Sequence, residues 1–438
     1  MWKLISSVLL LVCPLVCADY VFAVAEKNYR LELSNPPDAG QTEAVALLKP
    51  ERLRVKVANR LLLVSSRAIS RHELPRQQQK LITKLELLLH YQQQFVYLVS
   101  LNSLEDALQN MAVLEKLPGV SYVQPDVLPM RTESEKAPSL LNTLYLNEQT
   151  FSVADYLALE KIWPYSKGQG SRVAVIDTGV SLNLPDLGQT KLRFSWDIDL
   201  NIPGAVPEPH QKHGNKVAGL IWAQPDKVQN INKFTLGYAW GIAPDSELIA
   251  LKLQRPWTSN LLRAFSLAEQ QGADVINISW LLPWVAAPVR DYLQYLAYDA
   301  RQGKGVVIVV AADPKFRTNI GLAALPELLV VSSTDHQGTL ADASWGPAAD
   351  IAAASYLLTV SQLPKQRYEQ FAKTSSSAAL VSGFVALLRS WRPELTAAEI
   401  QLLLSETGTA KIQQVPQGAE FSYKVLNAQK VLAELRNN

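Results

Sequence analysis

RVAVIDTG, residues 172–179, decides how this chain folds. The unbroken apolar run from Val173 to Ile176 leaves no polar face, so a strand built from it is covered on both sides, as in parallel sheets of α/β proteins. Asp177 ends the run ahead of Thr178 and Gly179. A carboxylate is thereby set at a tight turn beyond a strand end, where ligands and catalytic groups collect in such sheets. Similar apolar runs recur downstream as ELIALKL, DVINIS, VVIVVAA and LLVVSS, with helical stretches between them. The alternation predicts one compact α/β domain over residues 145–438, a parallel sheet with helices on both faces.

Residues 19–130 read as a separate, small α+β (ferredoxin-like) unit. A strand is expected near Leu61 to Ser65, a helix over Gln78 to His90 and a strand over Phe95 to Leu101. Leu104, Leu108, Met111, Leu114 and Leu117 recur at helical spacing, and Val120 to Val123 reads as a last short strand. Residues 131–144 form an exposed connection, charged from Arg131 and reaching Pro138, where a protease could cut. At the N-terminus Lys3 precedes an apolar run from Leu4 to Val16, then Cys17 and Ala18, which is the pattern of a signal peptide cleaved after Ala18. The expected location is therefore secreted or periplasmic. No later segment reaches the ~18 uncharged apolar residues of a membrane span.

Cys13 and Cys17 are the only cysteines, so the mature chain has no thiol, which excludes disulfides, a Cys nucleophile and Cys-bound zinc. Val precedes both, where lipid-attachment signals prefer a small residue. The net charge is +2, with 42 basic and 40 acidic residues interspersed, which argues against a nucleic-acid partner.

Three polar residues stand out for chemistry. Asp177 taken alone is unremarkable, since Asp before a Gly turn is common, and an aspartic protease would need a second Asp-Thr-Gly or Asp-Ser-Gly, which is absent. His213, one of five histidines, opens HGNKVAGLIWA, where small residues suit a close-packed helix presenting an imidazole at its first turn. His210, between Pro209 and Gln211, is the nearby alternative and reads as loop. Ser375 lies in FAKTSSSAALVSGFVALLRSW, a polar cluster running into an apolar helix. A serine there caps the helix or is activated by it, because free N–H groups and the positive helix end stabilise developing negative charge. On local pattern alone Ser376 and Ser377 compete with Ser375. Asp, His and Ser in this order on an α/β sheet suit nucleophilic acyl transfer.

From residue 145 onward the chain resembles the subtilisin-like serine proteases. VAVIDTGVSLNLPDL is similar to that family's aspartate segment, HGNKVAG to its histidine segment HGTHVAG, and KTSSSAALVSG to its serine segment GTSMASPHVAG, which puts Ser375 at the nucleophile. GIAPDSELIALKL, GADVINISW, GVVIVVAA and LNAQKVLAEL also resemble family segments in the same order. The unit ending VSYVQPD is similar to the inhibitory propeptide of that family. The resemblance implies a serine endopeptidase with the triad Asp177, His213 and Ser375, a peptide or protein substrate, and its own propeptide as intramolecular inhibitor.

Several residues depart from the family pattern. Asp313 and Pro314 stand where the family has Gly-Asn, whose side-chain amide donates to the oxyanion; neither supplies that donor. Losing it costs about 10²- to 10³-fold in turnover in a subtilisin. Ser279, Trp280, Leu281 and Leu282 replace Ser-Leu-Gly-Gly beside the substrate, so Leu281 and Asp313 are expected to narrow or close the primary specificity pocket. Lys373 replaces a Gly before the serine segment, and Lys216 replaces the second His of the histidine segment. These changes imply narrow specificity or reduced activity, with a catalytically impaired, secreted binding module as the alternative. No cofactor is expected. Asp186 resembles a calcium-binding position of some relatives, but a surface Asp capping a turn is the expected role and calcium is not predicted.

Overall fold

The computed structural model describes residues 19–437 apart from 25–26, 131–152, 225–238, 314–319, 341–348, 364–366 and 415–419. The expected signal segment 1–18, the connection 131–144 and Pro314 lie outside the described residues.

The N-terminal unit is a seven-stranded antiparallel sheet. Its strands are β1 (Asp19–Val24), β2 (Lys27–Leu33), β3 (Glu43–Lys49), β4 (Leu53–Ser65), β5 (Ile82–Tyr91), β6 (Gln94–Leu101) and β7 (Val120–Pro129), with helices α1 (Arg76–Leu81) and α2 (Leu104–Glu115). The order is β1-β2-β3-β4-β6-β5, and β7 pairs with β4. From β4 onward the elements run β-α-β-β-α-β, and β1 to β3 widen that sheet on one side. Helix α2 meets its expectation: Ser103 Oγ accepts from Asp106 N at 3.0 Å, and Leu104, Leu108, Met111 and Leu114 are buried on one stripe.

The helix expected over Gln78 to His90 is not formed; only α1 is helical, and from Ile82 the chain is strand. Leu, Lys and Glu in this stretch favour helix, but β5 folds back on the β-branched and aromatic QFVYLVSL as a hairpin, pairing Leu85 with Val99 and Leu87 with Tyr97. Packing across the pair overrides the local preference.

The second unit opens with two short helices, α3 (Val153–Tyr156) and α4 (Leu159–Ile162), and then enters a ten-stranded sheet. In chain order follow β8 (Arg172–Asp177), β9 (Lys191–Asp197), β10 (Ile202–Pro203), α5 (His213–Trp222), β11 (Glu247–Lys252), α6 (Thr258–Gln270), β12 (Val275–Ile278), α7 (Ala287–Tyr298), β13 (Val307–Ala311) and β14 (Leu329–Thr334). Then come β15 (Ile351–Ala354), the hairpin β16 (Leu357–Val360) and β17 (Tyr368–Phe371), α8 (Lys373–Trp391), α9 (Ala397–Thr407), β18 (Thr409–Gln414), β19 (Glu420–Val425) and α10 (Ala428–Asn437). The sheet order is β10-β9-β11-β8-β12-β13-β14-β15-β19-β18. Strands β9 through β19 along this path pair in parallel, and an antiparallel strand closes each edge.

Alternate residues of the central strands feed two cores. Val173, Val175, Leu248 and Ala250 pack against α5, α8, α9 and α10, whereas Ala174, Ile176, Ile249 and Leu251 pack against α6 and α7. This two-sided burial explains the unbroken apolar strands. Strand β8 lies between β11 and β12, where the strand order turns, so its carboxyl end faces the crevice expected of a doubly covered sheet.

The two units share their cores. Leu62, Val64, Leu89, Tyr91, Val96 and Leu98 of the N-terminal sheet join the α6–α7 core, while Trp284, Ala286 and Ala287, leading into α7, are buried in the N-terminal core. Phe22 and Tyr29 meet the Trp284 ring edge-on at 6.2 and 5.6 Å. Asp126, fully buried, accepts from Ser259 N at 3.0 Å and Ser259 Oγ at 2.8 Å at the start of α6, where a negative charge suits the helix end, and Arg60 pairs with it at 2.9 Å.

Candidate active site

Strand β8 delivers Asp177 to the crevice as its last residue, buried to 2% exposure. Thr178 N donates to its Oδ1 at 2.7 Å, and Leu253 N to its main-chain oxygen at 2.8 Å. The turn that follows requires Gly179: its φ is +105°, and a Cβ there would stand 2.4 Å from Ala205 O. Gly214 is equally constrained, since a Cβ on it would lie 2.2 Å from Gly179 O. Two glycines therefore let the start of α5 rest directly on the Asp177 turn, where Gly214 N donates to Thr178 Oγ1 at 3.0 Å and Asn215 Oδ1 accepts from Ser181 N at 2.7 Å.

This packing brings His213 to Asp177. The imidazole Nδ1 lies 2.8 Å from Oδ2 and 2.9 Å from Oδ1. A carboxylate only accepts, so Nδ1 carries the proton and Nε2 keeps a lone pair. The His213 side chain is 35% exposed, which leaves it open to the crevice. His210 is an exposed loop residue.

Ser375 is the third residue of α8, and its two serine neighbours have other employment or none. Ser377 Oγ is buried within 2.8 Å of Ala353 O and 3.1 Å of Ala354 O, and Ser376 Oγ is buried without a hydrogen-bond partner. Only Ser375 of the three stays partly exposed. Its Oγ donates to Ser279 O at 2.8 Å, and Ser279 Oγ lies 3.1 Å from Ser375 O and 2.9 Å from Asn277 Oδ1. Ahead of the serine, Lys373 is held at φ +67°, a left-handed conformation costly for a residue with a Cβ. The backbone keeps the shape that suits the family's Gly although the side chain has changed.

Asp313, two residues beyond the end of β13, is buried to 2% exposure. Trp280 Nε1 donates to Ile176 O at 2.7 Å, so the indole seals the end of β8 beside Asp177, a role the sequence did not signal. Leu281 is 38% exposed, and the neighbouring Leu282 is buried at 3%.

Lys252 was also missed. It is buried to 6% exposure, is paired in register with Asp177, and has ion pairs to Asp197 at 3.1 Å and Glu208 at 3.3 Å. Burial works against its charge, but the hydrogen bonds to those two carboxylates outweigh it and hold the ammonium above its ordinary pKa. The signal was a lone Lys ending the apolar run ELIALK.

Asp186 overturns its expected role as a surface cap. It is buried to 2% exposure, and both carboxylate oxygens accept from Arg367, Oδ2 from Nε at 3.1 Å and Oδ1 from Nη2. A guanidinium already neutralises these oxygens, so the residues present do not suit a metal ion. Among the described residues no cluster of three or more His, Cys, Asp or Glu side chains could hold one.

Known proteins resemble this chain in sequence and in fold. Thermitase of Thermoactinomyces vulgaris is 28% identical over 255 residues, covering 56% of this chain and 85% of that protein. Mycosin-4 of Mycobacterium tuberculosis is 30% identical over 311 residues, covering 59% of this chain and 64% of that protein. The crystal structure of fervidolysin from Fervidobacterium pennivorans, a keratinolytic enzyme related to subtilisin, superposes with a TM-score of 0.61 at 20% identity, covering 86% of this chain and 61% of that one, a likeness of fold. The model of the subtilase family matches residues 168–423, a segment that contains Asp177, His213 and Ser375 and makes up more than half of the chain. A parallel sheet covered on both faces, with an aspartate, a histidine and a serine segment in that order, is thus matched along its length, and the chain belongs to the subtilase family.

Proposed function

We propose that this protein is a secreted serine endopeptidase of narrow specificity or reduced activity, with Asp177, His213 and Ser375 as its triad. The observation that carries the reading is the Nδ1–H of His213 held by Asp177 at 2.8 Å, which fixes the tautomer whose basic lone pair is on Nε2. In the resting arrangement the Ser375 proton is engaged by Ser279 O. A substrate backbone N–H that takes over Ser279 O frees that proton for His213 Nε2. Ser375 Oγ then attacks the scissile carbonyl carbon, and the oxyanion meets the Ser375 N–H at the start of α8. His213 passes its proton to the leaving amine as the C–N bond breaks, and water, deprotonated by the same imidazole, releases the acyl group and restores Ser375. Asp313 brings no neutral amide to the oxyanion, which supports a slow enzyme.

The same reading assigns residues 19–130 to a propeptide that inhibits and assists folding, residues 131–144 to the segment cut, and residues 1–18 to export. Among the described residues no helix is long and apolar enough to cross a membrane. A second reading, an impaired binding module, draws on the Ser375 hydroxyl bound to Ser279 O and on buried Asp313.

The test is the intact mass of the exported precursor beside its Ser375→Ala variant, purified identically and incubated without added protease. Release of an N-terminal fragment by the wild type alone, cut near residues 126–150, is expected. Both chains remaining whole, together with no labelling of Ser375 by a fluorophosphonate, would give the binding module the lead.

A further inference from the structure

Lys216, which stands where the family's histidine segment has its second His, does more than fill a position. It sits on α5 one turn beyond His213, and its Nζ lies 2.7 Å from Glu369 Oε2 on β17. The two side chains are 22% and 13% exposed, so the pair is largely shielded from water and from screening. The hairpin that carries Glu369 rests directly on α5. Glu369 is paired in register with Thr359, whose Oγ1 donates to Lys216 O at 2.8 Å, and a Cβ on Gly219 would stand 2.2 Å from that same Oγ1.

Two residues beyond Glu369, on the same strand face, is Phe371. Its buried ring meets the His213 ring edge-to-face at 5.4 Å and 86°, with Lys216 Nζ 6.0 Å from the ring centroid. Strand β17 then runs through Ala372 into the left-handed Lys373 and on to Ser375. One ion pair therefore ties the helix that carries the imidazole to the strand that leads into the serine, and an aromatic ring is held between them.

We infer that Lys216 and Glu369 are positioning residues, which clamp Phe371 against His213 and so set the alignment of His213 with Ser375. This rests on the triad reading above. Neither residue touches the reacting atoms; they act through the Phe371 ring. The charge pair crosses from α5 to β17.

The test uses the full exported chain and its Lys216→Met, Glu369→Gln and charge-exchanged Lys216→Glu/Glu369→Lys variants. One readout is the second-order rate of Ser375 labelling by a fluorophosphonate. The other is the exchange rate of the His213 Nδ1–H, read by NMR on ¹⁵N-histidine protein, which with five histidines is assigned by a His213→Gln variant. Labelling is expected to fall about tenfold in each single variant and to recover to within about threefold in the exchanged pair, since small misplacements of a base are costly in rate. Faster exchange of the His213 proton is expected alongside. Lowered melting temperatures with labelling within about twofold of wild type and unchanged exchange would mean a merely structural pair and would overturn the inference. If the wild type fails to label, the triad reading fails, and the exchange rate alone decides the clamp: faster in the variants upholds it, unchanged overturns it. Should Lys216→Met not fold, the near-isosteric Glu369→Gln carries both measurements.

Discussion

The crevice has two walls, and they are built on different terms. One wall, from the ends of β8, α5 and α8, is fixed within its own unit: glycines at 179 and 214 interlock, Thr178 and Asn215 bind neighbouring backbone, and Asp177 holds His213. The other wall, from the end of β12 onward, carries Trp280, the exposed Leu281 and buried Leu282, and passes within a few residues into Trp284, which is sunk in the N-terminal core. Buried Asp313 stands beyond β13. On the triad reading proposed above, the first wall is the proton-transfer side and the second the substrate side, and only the second is anchored in the other unit. Proton transfer demands fixed distances, while a substrate-facing surface tolerates and records change.

The largest blow to this contrast is Asp177→Asn. An amide in place of the carboxylate donates to Nδ1 and turns the imidazole to the wrong tautomer, so fluorophosphonate labelling of Ser375 should drop by roughly 10⁴-fold with little change in fold by circular dichroism. Labelling that persists near wild type would mean that the first wall is not catalytic. By the family resemblance, Asp313→Gly/Pro314→Asn brings back the Gly-Asn pair with its neutral amide donor and removes a carboxylate, so peptide hydrolysis should rise about 10- to 100-fold. A fall in turnover would show that Asp313 is a support and not a defect.

Smaller effects concern stability. Trp284→Ala empties a site against the stacked Phe22 and Tyr29 rings and should cost about 3–5 kcal/mol in urea unfolding, with looser substrate binding as the second wall loses its anchor. The finest test is Lys373→Gly, which relieves a left-handed backbone and should stabilise the chain by about 1 kcal/mol in the same assay, with Ser375 labelling unchanged or faster.

Much of the fold was legible because a strand buried on both faces has no polar residue to hide: RVAVI, LIAL and VIVVA became central strands of the ten-stranded sheet. The hairpin of β5 and β6 was not, since helix-favouring residues sat in a strand stabilised by a partner. Strands β1 to β3 went unread, although Tyr29, Leu31 and Leu33 of β2 alternate with Arg30 and Glu32 as a half-buried strand does. At the site, chain order and flanking glycines pointed to Asp177 and His213, and among three serines that the local pattern left open the family resemblance chose Ser375, while the helix turns Ser376 and Ser377 inward. Lys216 and Asp186 were read as departures or surface features because their partners, Glu369 and Arg367, lie far along the chain.

The Asp186–Arg367 pair carries a consequence for the surroundings this protein can tolerate. Stabilisation by a dissociable ion grows as the logarithm of its free concentration over its dissociation constant, and it fades when that ion is diluted or sequestered. A guanidinium attached to the chain obeys no such mass action. The positive charge at this corner is present at every dilution, so the fold near Asp186 should keep its counter-charge in ion-poor or chelating surroundings.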